Sequence, residues 1–297
     1  MRNGSAYEAV KTLSEERLLP VWKLCALLHL TRSAYYQWLK QSKSPHEQEN
    51  ERIAEKVKEI HKDHPDMGYR RIRDELDRHH GIRVNDKRVL RICRALHVQS
   101  TIKFQRHGCT RSAASPQYVA KNYLGRRFHA DAPNLKWLTD VTEFKYYVGP
   151  EVRKIYLSAI LDLCDRRIVA FAISDRNDNK LVFDTFDAAI AAEPNAHPLF
   201  HSDRGYQYTS AVFHQKLREA GMKQSMSRVA HCLDNGPMEG FWGILKRERY
   251  YGHRFTGRVQ LVQMITDYID YYNNYRIQRR LSVMAPMEFH QHFALAA

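Results

Sequence analysis

The spacing of apolar positions divides the chain into a helical first third and a strand-bearing remainder. Residues 21–28 read as a short helix with Pro20 at its entrance, and Thr31 is placed to cap a second over 32–39. A turn of a few residues joins them, the size of a helix-turn-helix. A charged amphipathic helix follows over 49–61, with Ile53, Val57 and Ile60 on one face. Gly68 opens another that runs to His79 and is broken by Gly81, and Asn85 caps a third over 86–96. Residues 98–133 lose apolar periodicity. Lys103, Arg106, Arg111, Lys121, Arg126 and Arg127 punctuate them, which predicts a basic linker.

From Asn134 the period changes to that of strands. Segments 137–147, 153–161 and 167–174 are joined by short links and form an antiparallel meander. A helix over 181–192 turns Val182, Phe183, Phe186 and Ala189 inward. A short buried strand (197–201), a helix (210–220, ended by Gly221), a strand (223–226) and helices over 238–249 and 259–275 complete the order. The fold class is α/β: a ribonuclease-H-like core, with a mixed five-stranded sheet and flanking helices, preceded by an all-α helix-turn-helix region. The predicted domains are a helix-turn-helix (1–45), a second helical module (46–100), a basic linker (101–133), the sheet-bearing core (134–250) and a C-terminal helical extension (251–297).

Charge narrows the class of partner. The 297 residues carry a formal net charge of +14, which favours a polyanion, nucleic acid before membrane. No apolar run approaches the ~18–20 residues of a membrane span. The five cysteines, Cys25, Cys93, Cys109, Cys164 and Cys232, are scattered and contain no Cys-x-x-Cys pair. They predict neither a disulfide framework nor a cysteine-based zinc site, and a reduced, cytoplasmic setting follows.

Three acids stand out by position. Asp140 lies inside the first strand, Asp203 just past the fourth, and Glu239 on a helix, with 35 residues between the last two. Carboxylates at strand ends and on a helix are what a paired-Mg²⁺ site for phosphodiester chemistry needs, with Mn²⁺ as a substitute. Asp140, Asp203 and Glu239 are therefore both the candidate catalytic residues and the candidate metal ligands. Glu143 and Asp162 are read as turn or surface carboxylates, and Asp66, Asp165 and Asp175 as turn residues. His201 is read as a structural histidine. Trp22, Trp38, Tyr35 and Tyr36 are read as core. Arg70, Arg71, Lys87, Arg88 and Arg91 are candidate DNA-phosphate contacts, and a solvated basic face is the alternative.

The words around these acids carry a resemblance. Trp137-Leu138-Thr139-Asp140-Val141-Thr142, His201-Ser202-Asp203-Arg204-Gly205-Tyr206-Gln207-Tyr208 and Asp234-Asn235-Gly236-Pro237-Met238-Glu239-Gly240-Phe241-Trp242-Gly243-Ile244-Leu245-Lys246 resemble the three acid blocks of DDE transposases of the insertion-sequence-three family, OrfB type. Gly68-Tyr69-Arg70-Arg71-Ile72, Val84-Asn85-Asp86-Lys87-Arg88-Val89 and Tyr271-Tyr272-Asn273…Arg276…Leu281…Pro286 are similar to its helical module and C-terminal block. The chain departs from the pattern at Val229-Ala230-His231, where the family usually has Lys-Gly-Asn, and at Gly240, where it usually has Ser.

The resemblance implies a retroviral-integrase-like core that performs Mg²⁺-dependent DNA strand cleavage and 3′-OH strand transfer at element ends, by a copy-out, paste-in route. It implies double-stranded DNA partners (terminal inverted repeats and target), a homo-oligomer on paired ends, and an upstream-frame protein or fusion. It also implies a bacterial cytoplasmic, nucleoid-associated location. The chain opens on Met1 without a heptad zipper, which fits either the shorter product of such a pair or a self-sufficient version. Lys246 stands two helical turns after Glu239, on the same side, where the family has Lys or Arg. It is a candidate DNA contact holding the terminal phosphate, and an exposed basic-helix lysine is the alternative. Asp234 and Asn235 are placed to cap the helix. Two other classes remain open: a ribonuclease-H-like nuclease without strand transfer, and a DNA-binding regulator without catalysis. No His/Cys zinc module precedes the core, which sets aside a retroviral-type integrase proper.

Overall fold

The computed structural model describes residues 4–16, 19–40, 44–102, 117–228 and 232–296. Lys103, Arg106, Arg111 and Cys109 of the expected linker, and Val229-Ala230-His231, lie outside the described residues. The chain divides into two compact units, 1–100 and 101–297.

The first unit is helical and has two small cores. Helices α1 (Gly4–Glu16), α2 (Val21–Leu27) and α3 (Arg32–Leu39) enclose Tyr7, Val10, Leu24, Cys25 and Tyr35. The sequence reading does not include α1, whose apolar positions are few. Thr31 occupies the N-cap of α3, yet its side chain makes no capping bond. Trp22 and Tyr36, expected in the core, stand on the surface at 55% and 48% exposure. This core is too thin to cover aromatics on more than one face of each helix.

Helices α4 (Pro45–Asp63), α5 (Tyr69–His80) and α6 (Asp86–Ala95) pack Ile53, Val57, Ile60, Ile72, Leu76, Val89 and Ile92 together. Helix α4 starts before the expected Glu49 because Ser44 and Glu47 form a reciprocal capping box with Pro45 in the first turn. Gly81 ends α5 in the left-handed conformation (φ 64°), and the Asn85 side chain accepts from Arg88 N–H to open α6.

The second unit is built on a five-stranded sheet: β1 (Lys136–Val148), β2 (Glu151–Asp162), β3 (Ile168–Ser174), β4 (Leu199–Ser202) and β5 (Lys223–Met226), in the order β3-β2-β1-β4-β5. The first three strands are antiparallel, while β4 runs parallel to β1 and β5 parallel to β4. Alternation along β1 supplies both faces. Leu138, Phe144 and Tyr146 enter a core with α9 (Gly236–Leu245) and α10 (Arg258–Asn274). Trp137 faces the opposite core, with α7 (Asn179–Ala192) and α8 (Ala211–Glu219). The result is the ribonuclease-H-like arrangement, a mixed sheet between helical layers. Helix α11 (Pro286–Ala296) follows α10. Among the described residues no helix is long and apolar enough to cross a membrane.

Residues 117–133, read as linker, belong to this unit. Ala120, Leu124 and Ala130 are buried in its cores. Tyr123 and Leu124 N–H both donate to the Ser225 hydroxyl, so the segment covers the outer edge of β5. Its lack of periodicity follows from this: an irregular strap over a sheet edge buries single residues at uneven spacing.

Candidate active site

Strand register brings two of the predicted acids together. Leu138 on β1 lies level with His201 on parallel β4. Continuing two residues sets Asp140 beside Asp203, one neighbouring strand away, ~5 Å between backbones. Asp140 shares the face of Leu138, the side on which α9 packs. Glu239 comes to the same place from the first turn of α9.

Each acid is held differently. Asp140 is 8% exposed. One of its oxygens accepts the Val141 N–H (2.8 Å), and the other accepts the Trp242 indole N–H (3.1 Å). Asp203 accepts the Gly205 N–H at 2.8 Å. A Cβ on Gly205 would stand 3.0 Å from that carboxylate oxygen and 3.1 Å from Gln207 Oε1, so glycine lets the turn close on Asp203. Glu239 is exposed at the rim.

The electrostatics follow from this crowding. Burial, then the charge of Asp203 and, last, that of Glu239 push the Asp140 carboxyl up to about 8. Burial also raises Asp203, against the pull of the Gly205 N–H, and raises Glu239. Tyr208, fully buried beneath the site, is held well above its ordinary value by burial and by Asp140 and Asp203; its hydroxyl lies 3.2 Å from Thr139 Oγ1. Lys246 supplies a nearby positive charge. Burial lowers its ammonium, while Glu143 and Asp140 act to raise it, and it sits 4.9 Å from the Phe144 ring centroid.

Among the described residues, no three His, Cys, Asp or Glu side chains are drawn close enough to form a ready-made metal cage. The acids approach closely enough to oppose one another's ionisation without chelating. Oxygen-only donors, one of them buried under like-charge repulsion, fit a hard divalent cation.

Neighbouring motif residues hold this arrangement in place. Asn235 stands at the N-cap position of α9 without capping it. Its Nδ2 donates to the Thr139 carbonyl (3.2 Å), which ties the helix to β1. Asp234 does not cap either. Its buried carboxylate accepts from Arg228, Arg126 and Asn122, and Arg228 first, then Arg126, hold it well below the ordinary range. The cap expected from sequence is thus replaced by tertiary bonds that anchor the loop before α9.

A π-helical turn, Lys246–Tyr250, extends α9, and the buried Glu248 in it pairs with Arg276 (2.7 Å) and Tyr268. Asn273 bonds both backbone groups of Ile168 on edge strand β3. The C-terminal block therefore braces the helix that carries Glu239. His201 is buried and neutral, lowered to about 4 by burial, and lies between the Ser225 and Ser227 hydroxyls.

The spare acids divide. Glu143 pairs with Lys154 at the surface. Asp162, expected as a turn or surface carboxylate, is instead the last residue of β2, fully buried, and accepts from Asn134, Cys164 and Trp137. Gly240, the departure from Ser, has open space where a Cβ would stand, so the change is sterically silent. Trp242 is the site residue the sequence reading did not single out. The available signal was its position three residues after Glu239, on the same helical side.

In the helical unit, Arg70, Lys87 and Arg91 are exposed. Arg71 pairs with Asp66 (3.0 Å), and Arg88 with Glu49 and Asn50 (2.8 Å each).

Comparison with known proteins gives the family. Integrase core domain models match residues 130–232 and 239–293, and an HTH-like domain model matches 47–106. InsK of insertion sequence element IS150 of Escherichia coli (strain K12) is 36% identical over 283 residues, covering 94% of this chain and 97% of that protein. The transposase for insertion sequence element IS904 of Lactococcus lactis subsp. lactis (strain IL1403) is 33% identical, covering 82% and 95%. Among solved structures, the magnesium complex of the HTLV-2 integrase catalytic core domain (trimeric form) is 20% identical with a TM-score of 0.43, covering 54% of this chain and 99% of that one. The chain belongs to the insertion-sequence-three family of transposases.

Proposed function

We propose that this transposase cleaves and joins DNA strands at element ends through Asp140, Asp203 and Glu239. The observation that carries the reading is the convergence of three acids: Asp140, buried and fixed by the Val141 and Trp242 N–H groups, stands level with Asp203 and beside the first turn of α9, which holds Glu239. Crowding like charges in this way opposes folding, and a protein that only binds DNA gains nothing from it. A pair of Mg²⁺ ions held by the three carboxylates, with Mn²⁺ as a substitute, would supply Lewis acidity to the attacked phosphate and to the attacking and leaving oxygens.

The chain's own groups set the geometry. Val141 N–H and Trp242 N–H fix the two oxygens of Asp140, and Gly205 N–H fixes Asp203. Lys246 neutralises the phosphate at the element terminus. In the first step water attacks phosphorus and the P–O3′ bond breaks, leaving a 3′-hydroxyl on the element strand. In the second, that hydroxyl attacks a target phosphodiester. One P–O bond forms, another breaks, and the departing oxygen takes up a proton.

The helical module holds double-stranded DNA, with the exposed Arg70, Lys87 and Arg91 meeting phosphates. Arg71 and Arg88 do so only by exchanging their present carboxylate partners. The acting form is a homo-oligomer on paired ends in the bacterial cytoplasm, at the nucleoid, with or without an upstream-frame partner. Cleavage is tested with a 5′-labelled duplex bearing the element terminus. Wild type with Mg²⁺ should yield one nicked product ending in a 3′-hydroxyl, and Glu239→Gln should yield none. Equal cleavage by both proteins would remove the assignment.

A further inference from the structure

We infer that Arg247 is a DNA-phosphate contact, laid against Gly243 on the helix that carries Glu239. The inference rests on the DNA-processing reading above and extends it to a residue outside the acid blocks and the terminal lysine. Gly243 stands one turn after Glu239 on α9. A Cβ placed there would come within 2.8 Å of Arg247 Nη1 and 3.4 Å of Cζ and Nη2. The guanidinium therefore lies over the bare Cα of the glycine, folded back along the helix toward its N-terminal end. An interior glycine costs a helix roughly 1 kcal/mol relative to alanine. Here that cost makes room for one side chain.

Other arginines of this region are occupied. Arg249 lies over the Tyr271 ring, Arg254 over Tyr147, Arg258 pairs with Asp175 and Arg276 with Glu248. Arg247 has neither a hydrogen bond nor an ion pair among the described residues, although it is half-buried. It acts electrostatically on Tyr251 alone among the perturbed groups. Lys246, the residue before it, turns its ammonium to Phe144 and the carboxylates. The two cations thus bracket the end of α9, one toward the acids and one laid back along the helix over Gly243. A half-buried guanidinium that is held by shape and lacks a counter-charge is suited to a planar, bidentate anion contact. Beside a phosphodiester-processing site, that anion is the backbone of the DNA strand flanking the reacting phosphate.

The experiment measures affinity of the full chain for a fluorescein-labelled duplex of arbitrary sequence, in EDTA, over a series of potassium chloride concentrations. Thermal midpoints control for folding. Arg247→Gln should weaken binding several-fold and flatten the slope of log K against log salt by about 1, the signature of one lost phosphate contact. Arg247→Lys should keep the slope. Gly243→Ala, which pushes the guanidinium off its seat, should weaken binding at an equal or higher thermal midpoint, and it carries the test if Arg247→Gln fails to fold. Unchanged affinity and slope in the folded variants, with wild type binding normally, overturns the inference and leaves the proposed function standing. A wild type that binds no duplex overturns both.

Discussion

Replacing Asp140 by Asn should make the metal-free protein more stable at alkaline pH. The carboxyl titrates near 8 in the folded chain against an ordinary 3.8. Folding therefore takes up a proton between those values. The site's contribution is most favourable below pH 3.8 and declines until the pH passes about 8. With 1.36 kcal/mol per tenfold change, ionisation costs folding about 4 kcal/mol at pH 7 relative to the protonated state. Between pH 5 and pH 8 the wild type should lose roughly 3–4 kcal/mol that Asp140→Asn keeps. Urea unfolding in EDTA at the two pH values, for both proteins, reads this difference directly from the midpoints at a common slope. Adding Mg²⁺ at pH 8 should restore the wild type and leave the variant unmoved, because cation binding relieves the repulsion that the variant lacks. Parallel pH dependence in wild type and Asp140→Asn would refute the argument that this acid is buried and crowded by its neighbours.

Two further consequences concern the supports of the site. Arg276→Met removes the guanidinium that offsets the buried Glu248 charge, so the unfolding free energy of the sheet-bearing unit should drop by about 3–5 kcal/mol, most of it recovered when Glu248→Leu is added. Trp242→Phe keeps the ring and removes one N–H donor to Asp140. It should cost about 1–2 kcal/mol, remove one resonance from the four indole N–H signals of the chain, and weaken Mg²⁺-dependent protection against thermal unfolding. A variant with wild-type Mg²⁺ response would show that the indole bond does not orient Asp140.

Much of the core was legible because its signals are local. A run rich in aromatic and β-branched residues from Trp137 to Val148 gives β1, and Gly81, Asn85 and Ser210 punctuate helices by chemistry each carries alone. Asp140 and Asp203 fell together because parallel strand register follows from where each strand begins. Pairings across the fold were not legible. Nothing local says that Arg71 finds Asp66, that Asp234 takes two arginines in place of capping a helix, or that Trp242 points its N–H at Asp140. Helix α1 was hidden for the opposite reason. It buries only Tyr7 and Val10, too few positions to raise a periodic signal. The strap over 117–133 looks like a linker in the sequence because a segment covering a sheet edge has no period to detect.

The most direct test of the account is strand joining. A duplex with a labelled, exposed 3′-hydroxyl at the element terminus is incubated with supercoiled target plasmid, Mg²⁺ and either wild type or Glu239→Gln. The account predicts label covalently attached to plasmid with wild type alone. Plasmid nicked by wild type with no label attached would reduce the protein to a nuclease, and label joined equally by Glu239→Gln would contradict the three-carboxylate site itself.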